Sequence, residues 1–170
     1  MPKSEFMREL NFPAYPLKIK LVAGKKQVFD PIRKKFLILT PEEWVRQHLI
    51  QFLIKDNGYP ASLLAIESMV KYNSMNRRSD LVAYNRKGKP VLLAECKAPS
   101  VKINQEAFDQ VARYNVTLGV KYLIVTNGLV HYACYIDHTH KKVEFLDSLP
   151  SYEDIDSSDW EVIRKQQPLA

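Results

Sequence analysis

The 170-residue sequence predicts an α/β domain, a mixed sheet flanked by helices behind a small N-terminal β-meander. Three observations predict it. Ser79 to Lys97 reads as two strands, Asp80 to Asn85 and Val91 to Lys97, with Gly88 in the turn and Pro90 opening the second run. Thr40-Pro41-Glu42-Glu43 is a helix start, and Asp56-Asn57-Gly58-Tyr59-Pro60 is its stop. A second helix, opening near Asn104 and closed by Gly119, separates those strands from Lys121 to Thr126. A strand, helix, strand connection of that length makes a parallel pair.

Composition bounds the rest. With 46% hydrophobic and 26% charged residues the chain is ordinary globular material, long enough for one domain with its own core. Residues 1–39 read as an arm and β extension, 40–148 as the core, and 149–170 as an acidic tail packed on or trailing it. No apolar run approaches a membrane span, and Met1 to Glu5 lacks a signal-peptide apolar region. Cys96 and Cys134 show no metal-finger spacing, so reduced thiols in a cytoplasmic protein are expected. The net charge is +6, with basic residues gathered in Lys18 to Lys35 and in Lys71 to Lys102. Such clusters suit a polyanion, although a solvated basic surface has the same composition.

In chain order, residues 1–16 hold Pro2, Pro13 and Pro16, an arm with one short helix near Ser4 to Leu10. Leu17 to Val22, Gln27 to Asp30 and Phe36 to Leu39 make the meander, with Lys25, Lys26, Arg33, Lys34 and Lys35 available to DNA. In the first helix Thr40 caps, Pro41 takes the first position and Glu43 completes a capping box. Val45, Leu49, Phe52 and Leu53 form its apolar stripe. Arg46, one turn on, is placed either to pair with Glu43 or to reach phosphate. Leu63 to Val70 is the first core strand, and Asn73 to Arg78 a loop, with Arg77 and Arg78 set to bind phosphate or to neutralise Asp80. Ala107, Val111, Tyr114 and Leu118 share one face of the second helix, and Gln110 and Tyr114 are surface neighbours there. Asn127-Gly128 turns a hairpin into His131 to Asp137. His138-Thr139-His140 has a metal-binding look but suits a solvated turn better. Val143 to Leu146 adds an edge strand.

The chemistry lies in the first hairpin. A two-residue turn at Lys87-Gly88 puts Asp80 opposite Glu95, with Lys97 on the same face. Like charges directly opposite destabilise a sheet, so a cation belongs between or beside them. Lys97 is one candidate and a hard divalent ion, Mg²⁺ by preference, is the other. An ordinary surface cluster of Asp, Lys and Glu is the plainer alternative.

Asp80, then Glu95-Cys96-Lys97 on the next strand, resembles the signature of the PD-(D/E)xK nuclease superfamily. Arg77 to Val82 and Ala94 to Pro99 look more narrowly like the N-terminal nuclease domain of type I restriction enzyme R subunits, a RecB-like branch. Thr40 to Arg46, Gln110 to Tyr114 and Thr126 to Gly128 resemble that branch as well. The resemblance covers Asp30 to Asp137 and implies a restriction-endonuclease-like core of helix, three strands, helix and two strands. It implies that Asp80, Glu95 and the Cys96 carbonyl bind Mg²⁺ or Mn²⁺, and that Lys97 handles the attacking water. It further implies that Glu43 approaches the site, that Gln110 and Tyr114 position Lys97 or contact DNA, and that Arg46, Arg77, Arg78 and Lys102 lie along the nucleic acid. Ser79 replaces the proline of the signature, and no motor follows in this sequence. The function implied is metal-dependent hydrolysis of DNA, with other restriction-system subunits as partners. The alternative is a non-catalytic nucleic-acid-binding or assembly subunit.

Overall fold

The computed structural model describes residues 7–72, 75–116 and 119–156, and their side chains except at 67–72, 75–78 and 114–116. The meander is present as β1 (Ile19–Val22), β2 (Lys25–Asp30) and β3 (Lys35–Ile38), an antiparallel sheet of its own. Ala23 and Gly24 make its first turn, both with positive φ (49° and 77°), a geometry that matches the strand twist of a two-residue hairpin. The helix α1 (Pro41–Lys55) follows, then β4 (Leu64–Tyr72), β5 (Met75–Tyr84), β6 (Pro90–Cys96), the helix α2 (Gln105–Val116), β7 (Tyr122–Thr126), β8 (His131–Asp137) and β9 (Lys142–Leu146). A short helix α3 (Tyr152–Asp156) ends the described chain. Strands β4 to β9 form one sheet in sequence order, and only β6 and β7 run parallel. The α2 crossover is what makes that pair parallel. Among the described residues no helix is long and apolar enough to cross a membrane.

The two faces of the sheet carry separate cores. Val45, Leu49, Ile50 and Leu53 of α1 pack on Leu81, Leu92, Ala94 and Ile124, and Tyr152 and Ile155 of α3 join them. On the other face Phe108 and Ala112 of α2 pack on Val82, Leu93, Leu123 and Val125. Each fully buried Leu or Phe contributes roughly 1.5–3 kcal/mol, so the central strands β6 and β7, buried on both sides, are the rigid part of the domain. The acidic C-terminal stretch is therefore packed on the core as far as Asp156.

Five local expectations change. The hairpin turn is not the two residues Lys87-Gly88. It runs from Asn85 to Lys89, with Asn85 N–H bonded to the Lys89 carbonyl and Asn85 Oδ1 accepting from Lys87 and Lys89 N–H. A register shift at Ala83/Tyr84 compensates for the longer turn, and Leu81 still faces Ala94. Asn73 to Arg78 is not a loop throughout. Arg77 and Arg78 lie in β5, opposite Val70 and Met69, because pairing with β4 continues to Tyr72 and Met75 despite the polar composition. The inward residues of α2 are Phe108 and Ala112, while Ala107 and Val111 are only half-buried. Its cap is as expected, with Ala107 N–H donating to Asn104 Oδ1 at 2.8 Å.

The remaining two changes concern the N-terminal third. The segment Met7 to Leu10 is not helical, and the earlier part of the expected helix lies outside the described residues. Instead the arm docks. Leu10 is buried in the α1-side core, Asn11 N–H bonds the Gly128 carbonyl at 2.7 Å, and Phe12 stacks on His131 at 4.4 Å. Gly128 has φ of 85°, a conformation that favours glycine, and a Cβ there would come within 2.7 Å of the Leu10 side chain, which would have to shift. Finally, Arg33 turns inward rather than toward solvent, into the network described below.

The docked arm makes stability pH-dependent. His131 Nε2–H donates to the Asn11 carbonyl, leaving Nδ1 to accept from the Thr126 hydroxyl. His48 on α1 donates Nδ1–H to the Trp44 carbonyl. Burial outweighs those carbonyls and holds both imidazoles below the ordinary histidine value of 6.5. The unfolded chain therefore binds protons that the folded chain refuses, and folding stability is complete above that value and falls as pH drops through it. Urea unfolding at pH ~7.5 and ~5.5 should show this loss, with flatter profiles for His48→Gln and His131→Gln; a profile as steep in the double variant would contradict it.

Candidate active site

The site is assembled where α1, the β2–β3 turn and the C-terminal end of β6 meet the β5 strand. Thr40 caps α1 as its sequence requires, its Oγ1 accepting the Glu43 N–H at 3.0 Å. The Glu43 carboxylate does not fold back to close a capping box. It is buried and accepts from Arg33 Nη2 at 2.8 Å, from Gln47 Nε2 at 2.9 Å and from Arg46 Nη1. Arg33 and Gln47 also hold Asp30, which is wholly buried, through contacts of 2.8 and 2.9 Å. Asp30 further accepts the N–H groups of Ile32 and Arg33, fixing the turn that aims Arg33 inward. Burial alone would raise the Asp30 carboxyl, but the Arg33 N–H, the Gln47 amide and the Arg33 guanidinium hold it below the usual carboxylate range.

Arg46 carries this network to the sheet. It is 3% exposed, and besides Glu43 it contacts Glu42 at 2.8 Å and Asp80 Oδ1 at 3.2 Å through Nη2. Burial opposes its charge, yet Glu43, Asp80 and Glu42 outweigh burial and raise its pKa above the ordinary guanidinium value. The expected pairing with Glu43 is thus present, and the guanidinium faces carboxylates rather than an open groove. The second oxygen of Asp80 accepts the Cys96 N–H at 2.7 Å.

The β5–β6 pairing runs to Leu81 opposite Ala94, and just beyond it Asp80 is joined to β6 through its side chain at Cys96, next to Glu95 in the chain. In a strand one residue's N–H and C=O point toward the same neighbour, so the Cys96 carbonyl is directed to the β5 side along with the N–H that Asp80 holds. The Cys96 thiol is buried, and burial together with Asp80 pushes its pKa well above the ordinary thiol value. Its sulfur is therefore no nucleophile at neutral pH. Glu95 is half-buried, and Lys97, the next residue of like parity, is exposed while its N–H is bonded to the Thr126 carbonyl.

Two carboxylates and a main-chain carbonyl are the oxygen donors that a hard divalent ion takes. Among the described residues no three His, Cys, Asp or Glu side chains cluster as a metal centre, so the donor set fits only with main-chain and solvent oxygens completing it. Among the described residues Ser79 Oγ and Gln47 Oε1 are buried without a hydrogen-bond partner, and Ser79 adjoins Asp80. Orphaned polar atoms in an interior are uncommon and mark this region as more than packing.

Other expected residues stand apart. Gln110 and Lys102 are exposed, on α2 and on the loop before it. Arg77, Arg78 and Tyr114 have their backbones in β5 and α2, and their side chains lie outside the described residues. His140 Nδ1 meets Asp137 at 2.8 Å, and His138 Nε2 meets the Val120 carbonyl at 2.9 Å, so this pair serves its turn. Sequence reading missed Asp30, Arg33 and Gln47. The i, i+3, i+4 spacing of Glu43, Arg46 and Gln47 was a signal available for the last, whereas Asp30 and Arg33 reach the site only through the fold.

A family model described as Type I restriction enzyme R protein N terminus matches residues 41–150. No curated protein matches the chain. Among solved structures, a fragment assigned as an HsdR subunit of a type I restriction enzyme from Vibrio vulnificus YJ016 aligns at 20% identity with a TM-score of 0.49. The alignment covers 69% of this chain and 24% of that one, so the chain spans about a quarter of that structure's length.

The network predicts a specific cost for Glu43. A capping role alone would leave Glu43→Gln nearly neutral, since the cap uses its N–H. Removing a buried carboxylate from two arginines should instead cost about 3–5 kcal/mol. Urea unfolding of Glu43→Gln, Arg46→Met and the double variant should show a non-additive cycle; additive losses below about 1 kcal/mol each would dismiss the network as a stabilising unit.

Proposed function

The chain belongs to the family of type I restriction enzyme R protein N termini, and on that premise we propose that it is a divalent-metal-dependent deoxyribonuclease of PD-(D/E)xK type. The observation that supports this reading is the bond from the Cys96 N–H, between Glu95 and Lys97 in the chain, to the Asp80 carboxylate, just beyond the Leu81–Ala94 pair of β5 and β6. Carboxylates gathered near one strand end repel both each other and phosphate, so such a grouping makes chemical sense where a cation sits between them and a phosphodiester.

Asp80, Glu95 and the Cys96 carbonyl would hold Mg²⁺, or Mn²⁺ in its place. When bound, the ion lowers the pKa of a coordinated water and stabilises charge on the phosphorane-like transition state. Lys97, exposed beside the acids, orients or deprotonates the attacking water and adds positive charge at the scissile phosphate. Arg77 and Arg78, on the strand leading into Asp80, take phosphate oxygens. Gln110, Tyr114 and Lys102 steady the Lys97 segment or meet the DNA alongside it. Glu43 acts through Arg46 and is a positioning residue. Such a module works in the cytoplasm on DNA, together with other subunits of a restriction-type complex.

Arg46 is the resident counter-ion of Asp80, and a divalent ion competes with it for Oδ1. This contact also favours a second reading, a DNA-binding or assembly subunit in which Arg46 permanently satisfies Asp80. Cleavage assays separate the two. With plasmid and single-stranded DNA plus Mg²⁺ or Mn²⁺, Asp80→Asn, Glu95→Gln and Lys97→Ala should each lose roughly 100-fold or more in rate. Activity surviving in Asp80→Asn would reject the nuclease site; salt-sensitive DNA binding with no cleavage by the native chain would leave the second reading.

Calorimetric titration with Mn²⁺ tests the competition directly. Arg46→Gln should bind the ion about tenfold or more tightly than the native chain, since a like charge beside the ligand is gone. Equal or weaker binding would show that Arg46 does not oppose the ion.

A further inference from the structure

The meander holds the charge of the molecule. Residues 17–39 contain seven Lys and Arg against one Asp, a net +6 that equals the net charge of the entire chain. Arg33 and Asp30 neutralise each other in the buried network, and Lys26 reaches Met7. Lys18, Lys20, Lys25, Lys34 and Lys35 remain exposed.

The register sorts these residues by face. Val28 and Leu39 are buried, so their side of the sheet meets the body of the protein. Lys18, Lys20, Lys25, Phe29, Phe36 and Ile38 have the opposite parity and share the outer side. Phe29 and Phe36 are directly paired across β2 and β3, their rings 5.3 Å apart edge to face. Lys20 Nζ stands 3.9 Å from the Phe36 centroid and Lys18 Nζ 5.5 Å from that of Phe29. Ile38 is 53% exposed beside them. No acidic residue of β1, β2 or β3 has this parity, because Asp30 is wholly buried on the network side.

We propose that the outer face of the meander binds a nucleic acid strand with unpaired bases, which stack on Phe29 and Phe36 while Lys18, Lys20 and Lys25 take the phosphates. Rings supply a π-surface that any base can use, and flexible lysines flanking them can leave the ring for a phosphate oxygen. A polyanion with planar apolar faces matches both features, whereas an acidic protein surface would use the lysines and leave the paired rings without a purpose. The face is outside the region shared with the family, which begins at Pro41. It is nonetheless tied to the candidate site, since β2 ends at Asp30, and Asp30, Arg33, Glu43 and Arg46 lead by direct contacts to Asp80. That the bound strand is also the substrate cleaved at Asp80 rests on the reading above; the binding itself does not.

Fluorescence anisotropy in EDTA tests the binding without cleavage, using a labelled single strand of ~20 nucleotides and the matching duplex, with the full chain. Lys18→Gln/Lys20→Gln should weaken single-strand binding fivefold or more and reduce the salt slope by about 1.4, the loss expected for two phosphate contacts. The exposed pair Lys87→Gln/Lys89→Gln, in the β5–β6 turn, removes the same charge and should change affinity less than twofold. Phe29→Leu/Phe36→Leu should weaken the single strand fivefold or more and the duplex less than twofold. Equal losses in the two lysine pairs would reduce the effect to net charge and overturn the proposal. So would a phenylalanine effect of equal size on the duplex, or absence of DNA binding at low salt. Should the phenylalanine variant fail to fold, the two lysine pairs still decide. A cleavage defect in Asp80→Asn with normal binding in EDTA leaves this surface intact, so the two readings fail separately.

Discussion

The contact on which the candidate site depends is that of Arg46 with Asp80. A guanidinium 3% exposed, held by Glu43 and Glu42 on its own helix, reaches an acid on the neighbouring sheet. A guanidinium this far from water persists only when paired, and Arg46 has Glu43, Glu42 and Asp80. The Asp80 carboxylate is consequently oriented before any ligand arrives, one oxygen toward Arg46 and the other on the Cys96 N–H. Orientation of this kind is what a functional acid needs and what a solvated surface acid lacks.

The same network joins three parts of the chain that are distant in sequence. Asp30 and Arg33 come from the meander, Glu43 and Gln47 from α1, and Asp80 from β5. Stability, acid orientation and the placement of the basic meander are thereby coupled through one set of buried hydrogen bonds. In a low-dielectric interior such a set is strong when complete and costly when a member is lost. The N-terminal arm adds a second tether, since Leu10 closes over Gly128 at the β7–β8 turn, next to the Thr126 carbonyl that receives Lys97 N–H.

The departures from expectation share a physical cause. Asn85 turns the hairpin with its own side chain, and the resulting longer turn is compensated by a bulge, so the pairing of Leu81 with Ala94 survives a different turn type. The burial pattern of β6 explains why. A one-residue slip would exchange the residues of its two buried faces, and packing therefore enforces the register that the turn alone does not. The polar composition around Arg77 and Arg78 suggests a loop, but strand pairing needs only backbone groups, and β4 supplies them.

The linear sequence by itself determined the order of the core elements, the α1 cap at Thr40, the Asn104 cap of α2, the parallel step from β6 to β7, and the register that sets Leu81 opposite Ala94. These follow from local rules: caps within one turn, alternation along strands, and crossover length. Only the tertiary structure decided what Glu43 and Arg46 do, because each had a sufficient local role and the choice depended on Arg33 and Asp80, ten and 34 positions away. It also decided that Asp30 is buried, that Phe108 rather than Val111 is the anchor of α2, and that the arm lies across Gly128. Burial and the pairing of charges at long range depend on how faces meet, and no periodicity in one segment records what will be packed against it.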